Sequence, residues 1–215
     1  MDMIGRMHID VTQSIGRATR EVSTRSYDGK PARVVAVSHR YDTSPADLWE
    51  AITSADRIPR WFTPITGDLK PGGRYQLQGN AGGQILICEP PRHLKVTWEY
   101  GGDTSFVEVR IAKDGAGSKL TLEHAMHGGE DHWNKFGPGA TGVGWDLALL
   151  GLSQHTVTRS AKTAEEGMAW MMSENGKAFV RASSEAWGQA HIAAGADRAA
   201  AEAAASQTTA AYTGA

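Results

Sequence analysis

The stretch HLKVTWEY, from His93 to Tyr100, decides the fold. Leu94, Val96, Trp98 and Tyr100 alternate with Lys95, Thr97 and Glu99. A period of two gathers the apolar set on one face of a β-strand, whereas a helix would scatter it around the axis. The same period recurs downstream. In SFVEVRI, Val107, Val109 and Ile111 alternate with Glu108 and Arg110, and in KLTLEHAM, Leu120, Leu122, His124 and Met126 share a face. Upstream, GGRYQLQGN and GGQILICEP are short runs of the same kind. Gly, Pro and Asp-Gly clusters separate all of them, which predicts an antiparallel meander with one apolar and one solvated face.

An apolar sheet face needs a cover. GVGWDLALLGLSQHTV is the long apolar helix candidate that follows the last strand. Trp145, Leu149, Leu152 and Thr156 fall on one stripe, and Leu147 and Leu150 make the helix apolar on further sides. Such a helix is expected to be buried on several sides.

Ahead of the sheet, Arg17 to Tyr41 reads as a hairpin around Asp28-Gly29, a two-residue turn signal. In DTSPADLWEAITSADRIPRWF, Ser44 caps a helix that Pro45 opens, with Leu48, Trp49 and Ile52 at helical spacing. A second short helix is expected near Ala55 to Trp61. The residues before the hairpin read as a loose arm. After Arg159 the chain turns alanine-rich, predicting helices near Glu174–Ala194 and Asp197–Ala211, the first stopped by Gly195.

This order of elements, with YDTSPADLWEAITSADRIPRWF, GDLKPGGRYQL, EPPRHLKVTWE and LTLEH, resembles the START-like (SRPBCC) superfamily. The similarity is to its branch related to the activator of the heat-shock-protein-90 ATPase, and it spans roughly Arg33 to Thr158. It implies an α+β helix-grip fold, a curved antiparallel sheet gripping a long helix, with a cavity between them. The alanine-rich helices go beyond the minimal domain and look like an extended bacterial form. The expected division is an arm over 1–16, the helix-grip domain over 17–160 and a helical extension over 161–215.

The tryptophans of the grip region, Trp49, Trp61, Trp98, Trp133 and Trp145, fit a plain hydrophobic core as well as a lined pocket. If a pocket exists, Trp61 and Phe62 lie at its mouth. Tyr75, Leu77, Val96, Trp98, Val107, Val109, Leu122 and His124 line it from the sheet, and Trp145, Asp146 and Leu149 from the helix. His124, Asp146 and Gln76 or Gln78 would be its orienting polar groups. His124 with Asp146 would form an acid–base pair if both faced inward, but a structural hydrogen bond is the simpler expectation. No nucleophile elbow is present. His124, His127 and His132 with Glu130 and Asp131 are metal-ligand types, yet His124 and His127 fall on opposite faces of a strand, so neither a metal nor another cofactor is expected. GPGATGVG lacks the Gly-Lys-Ser/Thr of a phosphate loop and reads as a bend into the long helix.

With 215 residues the chain can bury a sizeable core, and a net charge of -2 argues against nucleic acid or an anionic membrane as the main partner, since either would call for a basic face. No apolar run approaches the ~20 residues of a membrane span. The single cysteine, Cys88, fits a reducing compartment, and the cytoplasm is the expected location. The leading expectation is non-covalent binding of a small hydrophobic or amphipathic molecule. Cyclase- or hydrolase-like chemistry in the same pocket comes second. Stimulation of a chaperone ATPase, implied by the resemblance alone, comes third. In the tail, Phe179, Trp187 and Ile192 need a partner surface, either the grip domain or a second subunit in a homodimer.

Overall fold

A computed structural model describes residues 10–161 and 163–214. The part of the expected arm over residues 1–9 lies outside them. The rest of the arm is not loose: Asp10 accepts a hydrogen bond from the Gln13 amide and caps helix α1, Val11–Gly16.

Strands β1 (Thr19–Tyr27) and β2 (Lys30–Tyr41) form the hairpin. Asp28 and Gly29 both take positive φ, the two-residue turn whose twist matches that of the strands. Helix α2 (Pro45–Thr53) starts on Ser44, whose side chain accepts from the Asp47 amide, and buries Leu48, Trp49 and Ala51. The second short helix is a single 3-10 turn, Ile58–Arg60. Strands β3 (Ile65–Gly67), β4 (Arg74–Leu77), β5 (Gly82–Glu89), β6 (His93–Tyr100), β7 (Asp103–Asp114) and β8 (Gly117–Met126) follow. Together they make one antiparallel sheet in the order β1-β2-β8-β7-β6-β5-β4-β3. The hairpin therefore pairs with the last strand, Val35 opposite His124 and Val37 opposite Leu122.

The alternation holds through β7 and β8: Val107, Val109, Ile111, Leu120, Leu122 and His124 are buried. It fails at Tyr100, placed with the apolar face by its parity but 63% exposed. Tyr100 ends β6 at the Gly101-Gly102 turn, beyond any cover. A second, smaller cluster lies on the outer face, where Tyr27, Ala32, Val34 and Ala125 pack with Phe106.

The larger correction concerns Gly137 to Gly144. This segment was expected to be a bend, with the residues before it in a loop. Glu130–Phe136 instead forms helix α3, and helix α4 runs from Gly139 to Thr158. Its glycines serve helix–helix contact. A Cβ on Gly142 would sit 2.2 Å from Cε2 of Trp187, and one on Gly139 2.7 Å from Thr208 Oγ1. The partners come from the tail: α5 (Ala164–Met172), not foreseen, then α6 (Glu174–Ala193) and α7 (Arg198–Thr213). Trp187 is 0% and Phe179 2% exposed within the single chain. The choice left open for these two residues is thus settled: their partner surface is the body of the same chain, and they form no dimer surface. Helix α4 is sandwiched between the sheet and this outer helical layer, which is why it is apolar on several sides.

Candidate functional site

Between the inner sheet face, α2 and α4 lies a cavity of about 140 Å³. Eleven of the thirteen expected residues line it: Trp61, Phe62, Tyr75, Leu77, Val96, Trp98, Val107, Val109, Leu122, Trp145 and Leu149. Alternation delivers the sheet residues, and the spacing Trp145, Ala148, Leu149, Leu152 delivers one face of α4.

His124 and Asp146 are not among the lining residues. His124 is buried behind the tryptophans. Its Nδ1 accepts the Trp145 indole N–H at 3.1 Å, and its Nε2 lies 2.8 Å from Ser105 Oγ. Ser105 donates its own proton to the Trp98 carbonyl at 3.1 Å. With Nδ1 accepting and the serine proton spent, the imidazole is the Nε2–H tautomer and donates to Ser105. The chain Trp145 to His124 to Ser105 to Trp98 thus ties two walls of the cavity together. The Trp98 and Trp145 rings sit 5.1 Å apart at 60°. Burial holds the His124 pKa down to about 4, so the ring is neutral.

Asp146 turns the other way, because one residue along a helix rotates the side chain by ~100° from Trp145. Its Oδ2 accepts from Arg20 Nε at 3.0 Å, Ser183 Oγ at 2.5 Å and Trp187 Nε1 at 3.0 Å. The carboxylate knots β1, α4 and α6 together, with side-chain exposures of 6% for Arg20 and 3% for Asp146. His124 and Asp146 therefore serve separate networks and form no acid–base pair. Gln76 bonds the Leu77 and Asn80 carbonyls and is not a cavity group either. His127 meets Phe106 edge to face, with the rings 83° apart, and bonds the Pro31 carbonyl on the outer side.

Sequence reasoning missed Ile52, Thr53, Ile58, Ile65, Leu69, Ile85, Cys88, Leu94, Leu120, Ala148 and Leu152. Leu94 and Leu120 share parity with residues that were named, so the signal was present. Cys88 does not follow parity from Ile85, because the register shifts by a bulge between Ile85 and Ile87. The wall is chemically quiet. Trp61 Nε1 donates to the Ala51 carbonyl at 2.9 Å, Tyr75 Oη to that of Thr97 at 2.7 Å and Thr53 Oγ1 to that of Trp49 at 2.7 Å. Among the described residues, the Cys88 thiol and the Trp98 indole N–H are left as lining side-chain polar atoms without a hydrogen bond. Burial pushes the Cys88 thiol up, away from the reactive thiolate.

Comparison with known proteins adds the family. CalU16 from Micromonospora echinospora is 34% identical in its crystal structure, over 83% of this chain and 99% of that one, with a TM-score of 0.63. Its solution structure gives 33% identity over 82% and 96%, with a TM-score of 0.68. Protein MLL2253 from Mesorhizobium loti, 21% identical over 60% of this chain and all (100%) of that one at a TM-score of 0.53, shares the fold. No curated protein matches the chain. The model of the family described as "Activator of Hsp90 ATPase homolog 1-like protein" matches residues 42–156, from the start of α2 to the last turn of α4, and the chain belongs to that family.

Proposed function

We propose that the protein binds a small, uncharged, largely apolar molecule in the cavity between sheet and α4. The observation that carries this reading is the state of the wall. Its tyrosine, threonine and two of its tryptophans already spend their polar atoms inside the protein. A charged or strongly hydrogen-bonding group moved into such a space loses its water and meets little in return. Apolar surface gains roughly 25 cal/mol per Å² on entering. An engineered apolar cavity of roughly 150 Å³ in another protein stays dry and takes up benzene. The space here therefore suits a ring or a short hydrocarbon segment, and any polar part of the molecule stays at the mouth, near Trp61 and Phe62. The location we propose is the cytoplasm, which the lone thiol fits; no helix among the described residues is long and apolar enough to cross a membrane.

A cyclase- or hydrolase-like activity would need polar groups aimed at the ligand, and the two expected to supply them are committed to Trp145 and to Arg20. The binding reading is tested with an uncharged naphthylamine fluorophore. Wild-type protein should bind it saturably, and Val109→Phe, which fills the cavity, should weaken binding at least about tenfold, the equivalent of ~1.4 kcal/mol. Equal binding by a folded Val109→Phe variant would refute the cavity as the site.

A further inference from the structure

We propose that β1 is a dimerisation edge, at which a second copy of this chain adds its own β1 antiparallel to make one continuous sheet. The two ends of the sheet differ. At one end β3 is three residues long; at the other β1 is nine residues long and pairs only with β2. Long open edges are the exception in sheets, because their free N–H and C=O groups template pairing. The two-residue turn makes Tyr27 and Lys30 the closing pair of the hairpin. In such a hairpin the closing residues exchange backbone bonds, so Ser26, Thr24, Val22 and Arg20 turn theirs to the open edge. Among the described residues, nothing outside the hairpin bonds to the backbone there.

The sequence TREVSTRSY is self-complementary about Ser23. Antiparallel pairing on a two-fold axis at Ser23 sets Glu21 opposite the partner's Arg25, and Arg25 opposite the partner's Glu21. It also sets Val22 opposite the partner's Thr24. Opposite charges and β-branched pairs facing each other across strands are favourable. The register is consistent, since every edge-facing residue meets another edge-facing residue. Glu21 has no ion pair among the described residues, whereas Arg25 already holds Glu123 of its own chain on the same outer face. The inner face leaves room. Helix α6 covers it at the Arg20 end, where Arg20 lies over Trp187 and Val22 is buried, while Thr24 and Ser26 are exposed. A two-fold axis at Ser23 then places the two α6 helices at opposite ends of the new strand pair.

The test is the mass of the full chain in solution, by light scattering after size exclusion across about a hundred-fold range of concentration. Wild type should form a dimer. Thr24→Pro removes an edge-facing N–H that the monomer does not use, so it should yield a folded monomer by circular dichroism. Glu21→Arg alone should weaken the dimer at least about tenfold. Glu21→Arg/Arg25→Glu/Glu123→Lys, which also keeps the ion pair between positions 25 and 123 within each chain, should restore it, and this pair of variants decides the matter if Thr24→Pro fails to fold. A monomer at every concentration would overturn the proposal. So would a dimer indifferent to Thr24→Pro, or a charge swap that does not rescue.

Discussion

The indole N–H of Trp145 donates to Nδ1 of His124 at 3.1 Å, and this bond exists only while the imidazole is neutral. Protonated, both ring nitrogens are donors, and the relay from Trp145 to the Trp98 carbonyl is broken. The sign of the pH dependence follows. The His124 pKa is lowered from 6.5 to about 4 by burial. Between those values the unfolded chain takes up a proton that the folded chain refuses, so stability is complete above the higher value and falls as pH drops toward the lower one. At about pH 5 the loss should be on the order of 2 kcal/mol. Urea midpoints at neutral and mildly acidic pH measure it, and His124→Phe should flatten the difference. An unchanged slope in that variant would show that His124 is not the group responsible.

Asp146 should matter for stability and not for the ligand. Asp146→Ala leaves Arg20 buried without its partner, and breaking a buried pair in this way costs about 3–5 kcal/mol. Replacing both Arg20 and Asp146 by leucine should cost clearly less, because no stranded charge remains. Fluorophore affinity should be unchanged in whichever variant remains folded. A large loss of affinity at full stability would place Asp146 in the site after all.

Gly142→Ala should loosen the outer helical layer. The added methyl overlaps the Trp187 ring at 2.2 Å, and that ring has no space to retreat at 0% exposure. Overpacking of this kind costs about 1–3 kcal/mol or more. Trp187→Ala should cost about 3–5 kcal/mol, and the two effects should not add, since they act on one contact. Thermal denaturation of the two single variants and the double variant reads the coupling; simple additivity would speak against the contact.

Truncation after Ser160 should lower the melting temperature and leave the oligomeric state as it is in the full chain. The removed helices bury Val180, Trp187 and Phe179 against the body of the chain, and their loss uncovers Val143 and Asp146 on the back of α4. Differential scanning calorimetry with light scattering checks both parts. A truncated chain of unchanged stability would mean that the tail contributes nothing to the fold.

Much of the architecture was legible in the sequence because it rests on local periodicity. The alternation of Leu94, Val96 and Trp98, the Asp28-Gly29 turn and the Ser44-Pro45 helix start are each fixed by neighbours within a few residues, and each appears where expected. The same parity placed seven cavity residues, from Tyr75 on β4 to Leu122 on β8, on the correct face, and helical spacing added Trp145 and Leu149. What the sequence could not settle depends on contacts between distant segments. Glycines at 137, 139, 142 and 144 look like a flexible bend in isolation, but the approach of Trp187 and Thr208 from more than 40 residues away makes two of them close-packing positions in a helix. His124 and Asp146 both read as pocket groups, because type and parity cannot say which neighbour takes up a polar atom. Only the tertiary structure, by bringing Trp145 and Ser105 to the one and Arg20, Ser183 and Trp187 to the other, commits both side chains to the frame and leaves the cavity apolar.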